Sequence, residues 1–132
     1  MHIGYIGLGK MGHNMVLRLI EKGHTVVAFD VDAKARQSVA RKGVEIADSI
    51  AELAHMLTSP RLVWVMVPAF AHATAGRPQY SPVDEVLDEL NKHLSWGDLV
   101  IEGGNSFYKD TIHRAKRMAT RGGCQSLNRS SV

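Results

Sequence analysis

A single cysteine, Cys124, among 132 residues excludes an intrachain disulfide framework and agrees with a reducing compartment. It lies in a polar stretch with no expected helix start or fixed histidine to activate it, so it reads as an ordinary thiol rather than a nucleophile. The seven histidines form no H-x-x-x-H or His/Cys ligand pair, and no metal site is expected from them. Aromatic residues make up only 6% of the chain and do not interleave with the basic ones. Without helix-turn-helix or zinc-finger spacing either, a nucleic-acid partner is not expected. No apolar run approaches the roughly 18 residues of a membrane span. The start, Met1-His2-Ile3-Gly4, lacks the basic and apolar regions of a signal peptide, so no membrane partner and a cytoplasmic location are expected.

What is present is an ordinary globular composition, 45% hydrophobic and 22% charged, in a chain of single-domain length. The net charge of +3 is compatible with an anionic ligand. Lys109, Arg114, Lys116, Arg117 and Arg121 crowd one late stretch, which is either a solvated basic face or a phosphate-attracting rim.

Apolar periodicity orders the chain. His2 to Ile6 is a short buried strand. Met11, Met15 and Leu19, with Val16 and Ile20 beside them, place an apolar stripe on a helix that stops at Lys22-Gly23. Thr25 to Asp30 is a second strand, rich in residues that fit a pleated surface. A helix over 33–42, a strand over 44–47 and a helix over 49–57, capped by Asp48 or Ser49, continue the alternation. Arg61 to Val67 is a continuous apolar run, as expected of a parallel strand covered on both faces. A helix over 83–94, a strand over 99–102 and a helix over 109–121 complete the pattern. The long stretch from Phe70 to Pro82 reads as a loop at a strand's C-terminal end, either functional or a plain insertion. Gly122 to Val132 is polar and offers no further strand, so a frayed tail after residue 121 is expected. The fold class is α/β, a single Rossmann-type domain with a doubly wound parallel sheet over 1–121.

The connection after the first strand is Gly7-Leu8-Gly9-Lys10-Met11-Gly12. A G-x-G-x-x-G loop that follows a strand, opens an amphipathic helix and precedes an acid about twenty residues on is the dinucleotide fingerprint. Gly7 permits the tight turn, Gly9 leaves room for a pyrophosphate and Gly12 lets helix and strand pack closely. The helix N-terminus supplies unpaired N–H groups and roughly half a positive charge. Asp30 would take the adenosine ribose hydroxyls, which favours NAD over NADP. A 2′-phosphate about 4 Å from that carboxylate meets a repulsion of up to roughly 4 kcal/mol at an effective dielectric of 20, to which Asp32 adds. Lys34 and Arg36 offer the contrary possibility of holding such a phosphate, and Asp30 has the alternative role of capping the next helix.

Three segments, Ile6-Gly-Leu-Gly-Lys-Met-Gly-His-Asn-Met15, Val63-Trp-Val-Met-Val-Pro-Ala69 and Gly97-Asp-Leu-Val-Ile-Glu-Gly-Gly-Asn-Ser106, resemble the N-terminal domain of decarboxylating 6-phosphogluconate dehydrogenase. Other 3-hydroxyacid dehydrogenases share the glycine loop but carry an Asp-x-Ser-Thr-like motif in place of Gly-Gly-Asn-Ser. The acid at Asp30, where many NADP-using members have Asn-Arg, resembles the bacterial NAD-using branch. The resemblance implies an oxidoreductase of the pentose phosphate pathway, with the cofactor held by Gly7, Leu8, Gly9, Lys10, Met11, Gly12, Asp30, Val67, Pro68 and Asn105. In it Met11 lies against the nicotinamide, Val67 and Pro68 line the cofactor, and Asn105 also meets the substrate's hydroxyls. Phe70 replaces a glycine, Glu102 replaces an aspartate, and the loop after Ala69 is longer than the family's.

The family's catalytic lysine and glutamate lie beyond this segment, so no catalytic residue is assigned here. A truncated cofactor domain is expected, with each missing proton-transfer group worth roughly 10² to 10⁴ in rate. 6-Phosphogluconate would be a partner only with the substrate domain supplied. Two alternatives stand beside this: a non-enzymatic dinucleotide-binding or protein-interaction module, with homo-oligomers in view, and a dehydrogenase completed by a separate helical subunit.

Overall fold

The computed structural model describes residues 1–67 and 82–103 and the backbone of 125–128. The elements run β1 (His2–Ile6), α1 (Lys10–Glu21), β2 (Thr25–Phe29), α2 (Ala33–Ala40), β3 (Glu45–Ile46), α3 (Ile50–Met56), β4 (Leu62–Val65), α4 (Pro82–Asn91), β5 (Leu99–Glu102) and β6 (Gln125–Asn128). The strands form one parallel sheet in the order β3-β2-β1-β4-β5-β6. The chain winds outward from β1 through β2 to β3, then returns to lay β4 on the other side of β1. That reversal opens a crevice beyond the carboxyl ends of β1 and β4, where open α/β sheets bind ligands.

Successive strand residues point to opposite faces, and here both faces are covered. Val27, Val63, Val65 and Val100 pack with Leu53 and Leu57 of the α3 region and with Val83, Leu87 and Leu90 of α4. Tyr5, Val26 and Ala28 pack on the other face with Val16 of α1 and Val39 of α2. Double coverage explains why these strands read as continuous apolar runs. Burial pushes the Tyr5 phenol well above its ordinary value, and among the described residues its hydroxyl donates to the Met15 sulfur alone, at 3.5 Å.

Several expectations change. β2 ends at Phe29, α2 at Ala40 and α4 at Asn91, and β4 spans only Leu62–Val65, because strand pairing and helix closure fall short of the apolar pattern. Met11, the first member of the expected apolar stripe, is 69% exposed, since the opening turn of α1 stands above the sheet rather than on it. The expectation of a frayed tail is corrected at 125–128, which form β6 and pair in parallel with β5 from Leu99↔Gln125 to Glu102↔Asn128. Its polar sequence carries no strand pattern; the ladder is set by β5, whose backbone groups need partners. The expected helix over 109–121, the loop from Phe70 to Ser81, and Cys124 lie outside the described residues.

At the opposite end of the strands, Asp98 is fully buried ahead of β5. Its Oδ1 accepts from the Arg61 N–H at 2.6 Å and the Ser59 hydroxyl at 3.3 Å, and its Oδ2 from the Ser95 N–H at 2.8 Å and Arg61 Nη1 at 2.9 Å. Burial works to raise this carboxyl, but the N–H donors and the guanidinium outweigh it and hold it below the usual carboxylate range.

Candidate functional site

The site grows out of the turn between β1 and α1. Gly7 leaves the strand with φ at 101°, a left-handed conformation that side chains resist, and a Cβ there would lie 2.6 Å from the Met66 carbonyl oxygen. Gly7 therefore lets the loop pass tightly over the exit of β4, where Val67 follows. Gly12 faces back onto the Gly7 carbonyl, leaving no space for a methyl group. Gly9 differs from both. Its backbone, at φ −59° and ψ −176°, suits any residue, and a Cβ on it would meet nothing within 4 Å. Nothing in the described fold demands glycine at that position, and no described residue fills the space beside it.

Helix capping marks the same place. The Asp32 carboxylate caps α2 by accepting from the Lys34 N–H at 2.9 Å, and the Ser49 hydroxyl caps α3 by accepting from the Glu52 N–H at 3.0 Å. α1, which starts in the glycine loop, has no side-chain cap among the described residues and no acid in its first turn. Its orphan N–H groups and positive dipole end thus face the space beside Gly9, the arrangement that suits a phosphate. Lys10 and Met11 are exposed on this first turn.

Across the loop stands Asp30, just beyond β2. Its Oδ2 accepts the Leu8 N–H at 2.6 Å and its Oδ1 accepts the Asp32 N–H at 2.8 Å. The carboxylate therefore ties the glycine loop to the turn after β2, a role that spacing alone does not reveal. Among the described residues no cation pairs with it, and about two of its four lone-pair sites remain for other donors. The alternative role as helix cap falls to Asp32 instead. Leu8 has its side chain in the core and its N–H on Asp30, so it shapes the loop rather than offering a donor. Val67 is half-buried against the core beside Gly7. Pro68 and Asn105 lie outside the described residues.

Val31, which sequence reasoning did not single out, is 90% exposed next to Asp30. Its signal was an apolar residue between two aspartates in a turn. Met11, on the first turn of α1, is a second exposed large apolar side chain. Among the described residues no group of three or more His, Cys, Asp or Glu side chains is placed to hold a metal ion, and no helix is long and apolar enough to cross a membrane.

Residues 2–128 match the family described as the NAD binding domain of 6-phosphogluconate dehydrogenase. The chain belongs to this family. It is 41% identical over 116 residues to the NAD⁺-dependent, decarboxylating 6-phosphogluconate dehydrogenase of Haloferax volcanii, a match covering 88% of this chain and 36% of that protein. It is 39% identical over 125 residues to the decarboxylating enzyme of Treponema pallidum, covering 91% of this chain and 24% of that one. The chain thus spans about a third or less of the length of these relatives. The Plasmodium falciparum 6-phosphogluconate dehydrogenase, solved with NADP⁺ and with 6-phosphogluconate, superposes with a TM-score of 0.79 at 26% identity, over 96% of this chain and 26% of its own. A 3-hydroxyisobutyrate dehydrogenase of Mycobacterium tuberculosis shares the fold at 0.79 and 21% identity, over 96% of this chain and 39% of its own. The family shown by the comparisons is the one the three sequence segments resemble, and the six-stranded order is that of the Rossmann fold.

Proposed function

We propose that this domain binds NAD in preference to NADP, with the pyrophosphate against the open side of Gly9 and the first turn of α1 and the adenosine ribose on Asp30. The observation that carries the reading is the pairing of an uncapped helix start with a glycine whose missing side chain the described fold does not require. The carboxylate of Asp30, which pairs with no cation among the described residues, favours two ribose hydroxyls over a 2′-phosphate, and the name of the Haloferax volcanii relative supports the same preference. Val31 and Met11 offer apolar contact to the adenine and nicotinamide rings respectively, and Lys10 adds positive charge at the phosphates. Pro68 and Asn105 belong to the proposed cofactor contacts on the strength of the motifs alone, and Asn105 also to the substrate's.

Bound NAD supplies the hydride acceptor for oxidation of a secondary alcohol. The residues described here hold and orient it; none is proposed as the acid or base of the reaction. Oxidative decarboxylation of 6-phosphogluconate is proposed for these residues only in company with a substrate-binding domain.

Thermal unfolding with and without each dinucleotide tests this directly. NAD at 100 times its Kd should stabilise the chain by roughly 2.7 kcal/mol, with NADP doing less at the same concentration. Stronger stabilisation by NADP would reverse the preference. No stabilisation by either, in a folded chain, would leave an interaction scaffold as the better reading.

A further inference from the structure

Asp30 is fixed at a third point besides its two carboxylate oxygens. Its main-chain carbonyl accepts Nη1 of Arg36 at 2.6 Å. Arg36 lies in the second turn of α2, and its side chain reaches back toward the helix start, the usual direction for a long helical side chain. The other guanidinium nitrogen, Nη2, faces the Asp48 carboxylate at 3.6 Å, with the Arg36 side chain 20% exposed and that of Asp48 85%. The glycine loop, the turn after β2, α2 and the turn before α3 are thus joined through Asp30 and Arg36.

We propose that Arg36 is a positioning residue for the ribose-reading carboxylate of Asp30, and not an anchor for a 2′-phosphate; the inference rests on the dinucleotide reading of the same site. A guanidinium that swung away to meet a phosphate would release the Asp30 carbonyl and leave a part-buried acceptor without this donor. Held in place, it fixes the peptide that follows Asp30 while the Leu8 and Asp32 N–H groups fix the carboxylate, so the remaining lone pairs keep one position for the ribose hydroxyls. Asp48 lies within ion-pair distance of Nη2, although its exposure leaves the pair screened by solvent. Lys34, the other cation the sequence offers, lines a shallow depression on α2 with Gln37, Ser38, Arg41 and Lys42.

Equilibrium titration of the whole chain with NADH and with NADPH, for the parent, Arg36→Met and Arg36→Lys, tests the inference. Arg36→Met keeps the aliphatic stem and its packing. It should weaken NADH about tenfold and NADPH less than about threefold, the loss expected for one charged hydrogen bond acting on one ligand. Arg36→Lys should recover part of the NADH affinity. The opposite pattern, NADPH weakened and NADH unchanged, would make Arg36 a phosphate anchor and overturn the proposal. Equal weakening of both cofactors, or a lowered Tm with the affinity ratio intact, would reduce Arg36 to a structural role and also overturn it. A parent chain that binds neither dinucleotide would overturn the cofactor reading itself, a result distinguishable from the other two.

Discussion

Two aspartates at opposite ends of the sheet use similar partners to different ends. Asp98, ahead of β5, is fully buried, and Ser59, Arg61 and Ser95 surround both its oxygens, with the Arg61 guanidinium on the carboxylate itself. Asp30, beyond β2, also accepts two backbone N–H groups and also has an arginine beside it. There the arginine takes the main-chain carbonyl, and among the described residues no cation pairs with the carboxylate. The first is a closed knot that joins the starts of two neighbouring strands. The second is an open one, fixed in position yet able to accept further hydrogen bonds. Among the described residues the same residue type has both oxygens surrounded by donors at one end of the sheet and keeps lone pairs open at the other.

Removing the closed knot should have the largest effect. Asp98→Ala leaves the half-buried Arg61 guanidinium without its carboxylate, held only through Nε on the Ala54 carbonyl among the described residues, and should destabilise the chain by about 3 kcal/mol in urea unfolding, while the remaining folded protein binds NAD with unchanged affinity. A large loss of affinity at unchanged stability would show that the two ends are not separate. On the open side, Gly9→Ala places a methyl group in the proposed pyrophosphate space and should weaken NAD by about 1.5–3 kcal/mol. Its effect on stability should stay below about 1 kcal/mol, the range for an N-cap change. Calorimetric titration alongside a melting curve separates the two numbers.

Acid titration sharpens the contrast further. The folded Asp98 carboxyl lies below its reference value of 3.8, so its contribution is present above that value and is lost as pH falls through the folded pKa. Stability measured from pH 5 downward should therefore decline, and Asp98→Asn should flatten part of that decline below about pH 4. An unchanged slope would mean that other carboxylates govern acid unfolding. The smallest effect belongs to the periphery of the knot: Ser59→Ala removes one long hydrogen bond and should cost about 0.5–1 kcal/mol, readable as a shift of a few degrees in Tm.

Much of the site was legible from residue order because a dinucleotide loop is a local device. Gly7, Gly9 and Gly12 lie within one turn, and the acid closing the next strand follows at a fixed distance, so spacing alone assembles them. The strands were legible because coverage on both faces demands unbroken apolar runs, as in Val63 to Val65. Their ends were not, since a terminal residue belongs to a strand only if a neighbour pairs with it. β6 shows the same rule in reverse: Gln125 to Asn128 lack any strand pattern and take their conformation from β5.

The sequence by itself determined the alternation of strands and helices, the phosphate-type loop and the acid opposite it, because each is written in contiguous residues of defined spacing. Tertiary structure decided what each group is used for. It sent Leu8 to the core and its N–H to Asp30, gave the cap of α2 to Asp32, turned Arg36 onto a carbonyl and closed Asp98 with Arg61. Those outcomes depend on which unpaired donors and acceptors come within hydrogen-bonding distance once the sheet has formed, and that distance is a property of the packed chain rather than of its order.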